Sequence, residues 1–303
     1  MKKMEASCFI LLVACIGIVI GILIIEKYQP SLPSTFSPLL QELGKPVKSI
    51  DRAISKLMPI EDIDEQMLGE AIRKEFEQTI PKDLDPETIA YLTSLVQNLS
   101  SNTKKQFDYT IYLQEGYPNA YAFPGGIIVI TKAFLDCLSN EAELIAILGH
   151  EIGHIERGHS FDSARSRMLR KKIKFISLFD FAIDTIESFS RHLFSKTQED
   201  EADEYAFNML LEKGYNPFAI SDVFTKLSKQ AFHTHNLLTD FFNSHPYEVL
   251  RRDKFHSRAE SWLTKNPDTK MYIGKRNFEE KKSRYYISYS DEYDLQKTTT
   301  APL

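Results

Sequence analysis

Residues 150–154 read His-Glu-Ile-Gly-His, the H-E-x-x-H pattern, and these residue types at this spacing can hold a catalytic zinc ion. On a helix the two histidines stand one turn apart on the same face, so both imidazoles can reach one metal. Glu151 then lies beside the open position of that metal, where it can accept a proton from water. The pattern therefore predicts a hydrolytic site, although a pentapeptide with three fixed positions also occurs by chance.

The residues before the pentapeptide predict that it lies on a helix. Asn140 followed by Glu143 has the form of a capping box at a helix start. Leu144, Ile147 and Leu148 then supply one apolar helical face that continues into the motif. A helix is expected where a two-histidine site needs one.

Two histidines do not complete a catalytic zinc site, which usually has three protein ligands and a water. The metzincin pattern would place its third histidine at the position of Ser160, so that subclass is excluded. His159 is nearby in sequence, but on one continuous helix it would lie about 140° around from His154. We therefore expect His159 to be a surface histidine.

A second helix is predicted to open with the segment Glu-Asp-Glu-Ala-Asp at residues 199–203. Glu199 and Asp203 are one turn apart on the same face, so one carboxylate can bind the metal while the other accepts the free N–H of a ligand histidine. A solvated acidic patch is the alternative, because the same turn also contains Asp200, Glu201 and Glu204.

Taken together, these segments resemble the gluzincin peptidase family that includes the CAAX prenyl protease, HtpX, and the BepA and Oma-type proteases, with the BepA-like periplasmic branch the nearest in pattern. The resemblance covers residues 119–251. It consists of Asn-Ala-Tyr-Ala-Phe-Pro-Gly-Gly at 119–126, the zinc motif, Glu-x-x-Ala-Asp at 199–203, and Ser-His-Pro at 244–246 followed by Arg251. Ser195-Lys196 departs from the family, which often has Ser-Arg there, and leaves the local ion pairing open.

This resemblance implies a role for each matching residue. One zinc ion per chain is expected, with His150, His154 and Glu199 as its ligands. Glu151 is expected to be the general base, and Asp203 to support a ligand histidine. His245 is implied to be either a regulatory ligand that blocks the open site or a transition-state stabiliser; a helix-capping histidine is the plainer alternative.

The implied fold is α+β, a mainly helical zincin-type metalloprotease domain with a small β-sheet beside the H-E-x-x-H helix. Alternation from Phe107 to Leu113 and the apolar run at 127–130 predict strands. Relatives hold substrate extended along a sheet edge, so a strand near Ala122 to Ile128 is the expected substrate platform. Gly125 and Gly126 suit a turn or bulge within it.

The first residues predict a membrane anchor. Lys2 and Lys3 precede an apolar run from Cys8 to Ile25, about long enough to cross a bilayer. An uncleaved signal anchor is favoured, with the enzyme on the far side of the membrane, in a bacterial periplasm rather than at a mitochondrial inner membrane. Residues 12–15 also resemble a lipobox, which would make Cys15 a lipidated residue, but the apolar run continues past it.

The composition and the pattern of residues predict how the chain is divided into segments and which partners it lacks. The formal net charge is −5, so no nucleic-acid surface is expected. Cys137 is the one cysteine outside the anchor, so no disulfide is expected within the domain. We expect an anchor at 1–28, a linker at 29–60, a metallopeptidase domain at 61–265, and a polar tail at 266–303 that is either mobile or a short appended strand. Ile173 to Phe194 is expected to form an amphipathic helix or lid.

Three functions are compatible with these features. The first is a zinc endopeptidase of protein quality control that cuts unfolded or misassembled envelope proteins. The second is an assembly factor that binds such proteins in the same cleft with little proteolysis. The third is a structural zinc module, which the absence of cysteine ligands argues against.

Overall fold

A computed structural model describes residues 62–80, 85–116, 118–170, 178–189, 194–233, 245 and 248–294, and most of these residues are helical. The predicted anchor and linker lie outside the described residues. In chain order the helices are α1 (Asp62–Thr79), α2 (Pro86–Leu99), α3 (Lys132–Leu135), α4 (Glu141–Glu156), α5 (His159–Arg170), α6 (Leu178–Phe189), α7 (Lys196–Glu212), α8 (Ala219–His233), α9 (Glu248–Lys265) and α10 (Lys275–Glu280). The strands are β1 (Thr110–Gln114), β2 (Ala120–Phe123), β3 (Ile127–Thr131), β4 (Met271–Tyr272) and β5 (Tyr293–Asp294).

The larger sheet has the order β1-β3-β2, with β1 parallel to β3 and β2 antiparallel to it. Every residue of β3 is buried, which explains why this strand is apolar without alternation. Gly125 and Gly126 connect β2 to β3 with φ angles of 78° and 85°, so the expected turn is confirmed. The predicted strand near Ala122 to Ile128 is corrected: Ala122 lies in β2, Ile128 lies in β3, and residues 124–126 form the turn between them. Of these two strands, only β2 lies at an edge of the sheet.

Alternate residues of β3 point into two hydrophobic cores. Ile128 and Ile130 pack in the larger core with residues of α2, α4, α7, α8 and α9. Ile127 and Val129 pack in the smaller core, where α1, α5 and α6 cover the opposite face of the sheet. The helix expected between Ile173 and Phe194 is confirmed over residues 178–189, and its Ala182 is fully buried in this smaller core.

The helix α4 begins where the sequence predicts it. The Asn140 side chain accepts a hydrogen bond from the Glu143 N–H, which caps the helix. Its first amides are also bonded by the far end of the chain: Glu141 N–H donates to the Gly274 carbonyl at 3.1 Å, and Ala142 N–H donates to the Ile273 carbonyl at 3.0 Å. The last described segment thus completes the start of this helix.

The Glu141 carboxylate reinforces that connection. It accepts hydrogen bonds from the hydroxyls of Tyr91 and Tyr215, at 3.0 and 2.6 Å, and from the Arg284 backbone N–H at 3.0 Å. Burial raises the pKa of Glu141, against the lowering effect of these three donors. Residues 271–294, which the sequence left open between a mobile tail and an appended strand, therefore contain two short strands and bond to α4.

Helices α4 and α7 pack in close contact through small residues. An added Cβ at Gly153 would lie 2.9 Å from Tyr205 Cβ and 3.1 Å from Ala202 Cα. At Gly149 it would lie 3.2 Å from Ala206 Cα. Both glycines are on α4, and all their neighbours are on α7. Only residues without a side chain allow the two backbones this separation.

Among the residues that the structure describes, no helix combines the length and the apolarity needed to cross a bilayer.

We expect Gly153→Ala to destabilise the protein by about 1 kcal/mol or more, because overpacking outweighs the gain of about 1 kcal/mol in helix propensity. Urea denaturation of the metal-free protein measures this difference. Gly149→Ala is the matched comparison and is expected to cost less, because its shortest contact is longer. A larger loss at Gly149 than at Gly153 would contradict the proposed role of this contact.

Candidate metal centre

Three elements bring four metal-binding side chains together in the described structure. Helix α4 supplies His150 and His154, the first turn of α7 supplies Glu199, and His245 approaches from the chain before α9. We call these four residues the donor cluster. One ligand atom from each lies within 4.8 Å of every other, and all four side chains are buried.

The donor cluster has the dimensions of a tetrahedral zinc shell. The Nε2 atoms of His150 and His154 are 3.0 Å apart, and Glu199 oxygens lie 3.6 and 3.4 Å from them. His245 Nδ1 is 3.2 Å from His150 Nε2 and 3.1 Å from the nearer Glu199 oxygen. Tetrahedral zinc with bonds of about 2.0–2.2 Å has ligand atoms about 3.3–3.6 Å apart. The two distances from Glu199 to the histidines of α4 lie in this range, and the other separations of 3.0–3.2 Å are slightly shorter, so small outward shifts fit the residues to the metal that the sequence predicts.

Asp203 and Arg251 support the cluster with charge. Asp203 Oδ1 lies 2.9 Å from His150 Nδ1, which is the contact that the spacing of Glu199 and Asp203 predicts. Arg251 donates to both Asp203 oxygens at 2.7 Å and lies 2.5 Å from Glu199 Oε2. Burial alone would raise the pKa of both carboxyls. The guanidinium instead lowers the pKa of Asp203 to about 2 and, together with His245, holds that of Glu199 well below its usual range.

Glu151 is the group in the site that lacks a bonding partner. Its side chain is fully buried, and neither carboxylate oxygen has a hydrogen-bond partner in the described part of the chain. The imidazole of His245 is close, with Nε2 at 3.9 Å from Oε1. Burial raises the pKa of Glu151, while His245 and His150 oppose that shift. A buried carboxylate of this kind is suited to exchanging a proton.

His159 is where the sequence prediction is wrong. Helix α4 ends at Glu156, Gly158 turns the chain with φ of 79°, and α5 begins at His159 itself. The extrapolation along one continuous helix therefore fails. His159 is 4% exposed, and its Nδ1 lies 3.0 Å from His154 Nδ1. Burial lowers the pKa of His159 and so favours the neutral ring, although the hydrogen bond and the charge of Glu201 oppose this shift.

Two further contacts close the site from the side of the smaller core. The ring of Phe194 stacks on His154, with centroids 3.9 Å apart and planes at 25°. The carbonyl of Ala122 accepts a hydrogen bond of 2.6 Å from the Ser160 hydroxyl, so α5 lies along part of the β2 edge. Neither Phe194 nor Ser160 belongs to a motif, so no sequence pattern predicted these contacts.

The remaining residues of the expected platform pack against other elements. An added Cβ at Gly125 would lie 2.5 Å from Gly69 Cα of α1, and one at Gly126 would lie 2.8 Å from Phe107 Cβ. Arg73 of α1 also donates to the carbonyls of Asp108 and Gly125. The turn between β2 and β3 is thus covered by α1, and the role of Ala122, Gly125 and Gly126 towards a substrate stays a prediction.

A histidine pair on one helix, joined by a glutamate from a second helix and accompanied by a buried glutamate, is the site of a zinc metallopeptidase. A comparison with known protein families gives the same class of protein and also identifies the family. The model described as Peptidase family M48 matches residues 85–259, and the chain belongs to this family.

Curated relatives share this region at low identity. The chain is 25% identical to the metalloprotease LoiP of Escherichia coli over 181 residues, covering 56% of this chain and 70% of LoiP. It is 28% identical to the mitochondrial metalloendopeptidase OMA1 of Arabidopsis thaliana, covering 49% and 31%. It is 24% identical to the beta-barrel assembly-enhancing protease of Yersinia pestis, covering 65% and 44%. The chain thus spans less than half the length of the last two.

We expect Arg251→Leu to lower the free energy of unfolding of the metal-free protein by about 3–5 kcal/mol, because it leaves two buried carboxylates without their cation. Arg251→Lys should recover part of the loss, since it restores the charge without the bidentate fork. Urea denaturation in the presence of a chelator measures both. Arg252→Leu is the control, because Arg252 pairs with Asp253 at the surface. Equal losses of stability for the variants at residues 251 and 252 would refute the role of Arg251 as the cation that stabilises the two buried carboxylates.

Proposed function

We propose that this M48 metallopeptidase is a membrane-anchored endopeptidase that hydrolyses peptide bonds of unfolded or misassembled envelope proteins. One observation carries the catalytic part of the proposal: the buried Glu151 carboxylate, which accepts no hydrogen bond from the described residues, lies beside a donor cluster of zinc dimensions. A structural zinc site would have no use for a carboxylate that is buried at a cost and left without a hydrogen bond.

The chain's own residues divide the work of hydrolysis. When bound, zinc supplies the Lewis acidity that makes water nucleophilic near neutral pH and polarises a peptide carbonyl. His150, His154 and Glu199 hold the metal, and Asp203 fixes the His150 ring through Nδ1. Glu151 takes a proton from the attacking water and returns it to the leaving amine nitrogen. Exclusion of water by Phe194 and the smaller core strengthens these charge interactions.

The choice of substrate and location draws on the relatives and on the N-terminal sequence. One relative is named for enhancing β-barrel assembly and another is named a mitochondrial metalloendopeptidase, and we take both names as support for a place at a membrane. The lysine-led apolar run from Cys8 to Ile25 would hold this enzyme at such a membrane with residues 61–265 on its far side. Envelope proteins are then the substrates within reach.

We also propose that the state described here is latent. His245 Nδ1 lies among the other donors at ligand-to-ligand distances, so it would fill the fourth position that a catalytic zinc keeps open for water. Glu151 is fully buried and His245 is 1% exposed, so no substrate reaches them in this state. Release of His245 would free both the coordination position and the carboxylate.

Glu151→Gln is expected to reduce casein digestion by about 100- to 10,000-fold at equal zinc content, because the amide cannot accept the proton of the attacking water. Zinc content is measured on the same samples by atomic absorption. Glu260→Gln is the control, since that side chain is 62% exposed on α9. Undiminished digestion by Glu151→Gln would remove the general-base assignment. Absence of digestion by both the wild type and His245→Ala, together with binding of unfolded protein, would favour the assembly factor.

His245→Ala is expected to accelerate casein digestion several-fold while one zinc ion per chain is retained, because three donors remain and the fourth position opens. His256→Ala is the matched control, as His256 is exposed on α9. Slower digestion at unchanged zinc content would instead assign His245 to transition-state stabilisation, the other role that the resemblance implies.

A further inference from the structure

The two histidines of α4 are supported differently on the sides of their rings that face away from the donor cluster. The Nε2 atoms of both face the cluster, which leaves each Nδ1 free for a second contact. For His150 that contact is the Asp203 carboxylate. For His154 it is another imidazole, with His159 Nδ1 at 3.0 Å. His159 continues the series, because its Nε2 lies 3.1 Å from a Glu201 oxygen.

These contacts allow a single arrangement of protons once His154 offers Nε2 to a metal. A lone pair on Nε2 places the proton of neutral His154 on Nδ1. Two ring nitrogens 3.0 Å apart share one proton, so His159 Nδ1 must accept it. His159 then carries its own proton on Nε2, where it donates to the Glu201 carboxylate. A proton on both His159 nitrogens would set two N–H groups against each other.

We propose that His159 is a positioning residue that holds His154 in its metal-binding tautomer and ring orientation, with Glu201 fixing His159 in turn. This inference rests on the proposed role of His154 as a zinc ligand. The stack with Phe194 restricts the plane of the His154 ring, but that plane is kept when the ring flips by 180° about Cβ–Cγ, which exchanges the positions of nitrogen and carbon atoms. The hydrogen bond at Nδ1 removes that freedom and aims Nε2 at the other donors.

Substitutions of His159 can remove its contact with His154 and its contact with Glu201 separately. The amide oxygen of asparagine reaches about as far as histidine Nδ1, and the end of glutamine reaches about as far as Nε2. His159→Asn therefore keeps an acceptor for His154 and loses the contact with Glu201. His159→Gln keeps a donor for Glu201 and loses the contact with His154. His159→Leu has a similar volume and makes neither bond.

The test is zinc affinity of the purified full chain, measured by competition with a chromophoric chelator. His159→Leu is expected to weaken zinc binding about 10- to 100-fold, the usual effect of losing the partner of a ligand histidine. His159→Asn should restore most of the affinity and His159→Gln little of it, whereas the exposed His256→Leu should leave it unchanged. Equal affinities for the Asn and Gln variants would overturn the proposal, and this comparison remains decisive where the Leu variant fails to fold.

The tautomer of His154 should change on substitution of His159 only if His159 positions the ring, and not if its role is merely structural. In ¹⁵N NMR spectra of the metal-free protein, we expect a protonated Nδ1 on His154 in the wild type, because the Glu201 carboxylate keeps the His159 proton on Nε2 and leaves His159 Nδ1 as an acceptor even without metal. His159→Asn keeps an acceptor and should keep this tautomer. In His159→Gln the acceptor is lost and Glu199 can accept from His154 Nε2, so a mixture of tautomers is expected. An unchanged tautomer in His159→Gln would contradict the positioning role even where thermal stability falls.

His154→Ala separates a failure of this inference from a failure of the proposed function. Unchanged zinc binding by His154→Ala would overturn the ligand assignment itself. Loss of zinc by His154→Ala together with equal affinity across the His159 variants would overturn the positioning role alone.

Discussion

The separation of α4 and α7 sets the geometry on which the metal centre depends. The histidine pair is rigidly spaced because both residues lie on α4, but Glu199 and Asp203 lie on α7, so their distances to the histidines follow the distance between the two helix axes. Gly149 and Gly153 bring the backbones into contact with Ala202 and Ala206. One added methyl group at this contact would move Glu199 and Asp203 relative to the histidines. The glycine inside the H-E-x-x-H motif is therefore as much a part of the site as its histidines.

The close contact of α4 and α7 also brings buried carboxylates together in the site, and Arg251 offsets part of their charge. Two buried carboxylates on α7 face the imidazoles of α4 and His245, and one guanidinium bonds to both of them. This guanidinium offsets part of the negative charge of the two carboxylates. Arrival of zinc adds positive charge on the open side of Glu199 while Arg251 continues to neutralise Asp203, so the scaffold need not rearrange to accept the metal.

Local sequence signals predicted the elements that carry the site. The cap at Asn140, the apolar face of α4 and the one-turn spacing of Glu199 and Asp203 are short-range features, and the structure has them. His245 could be placed only by resemblance, since nothing local ties it to residues 95 positions earlier. His159 was misplaced because its position was extrapolated through Gly158, a residue that commonly ends helices and could have served as the warning. Phe194 and the smaller core depend on contacts between distant segments, which periodicity does not encode.

The bonds from Ile273 and Gly274 to the start of α4 have a consequence for how the protein is made. During synthesis the histidine pair leaves the ribosome long before the residues that complete its helix. Until residues 273–284 emerge, the first amides of α4 lack their carbonyl partners, and the Glu141 carboxylate lacks the Arg284 amide. The helix that carries the histidine pair therefore reaches its full set of hydrogen bonds only after residues 273–284 have been translated.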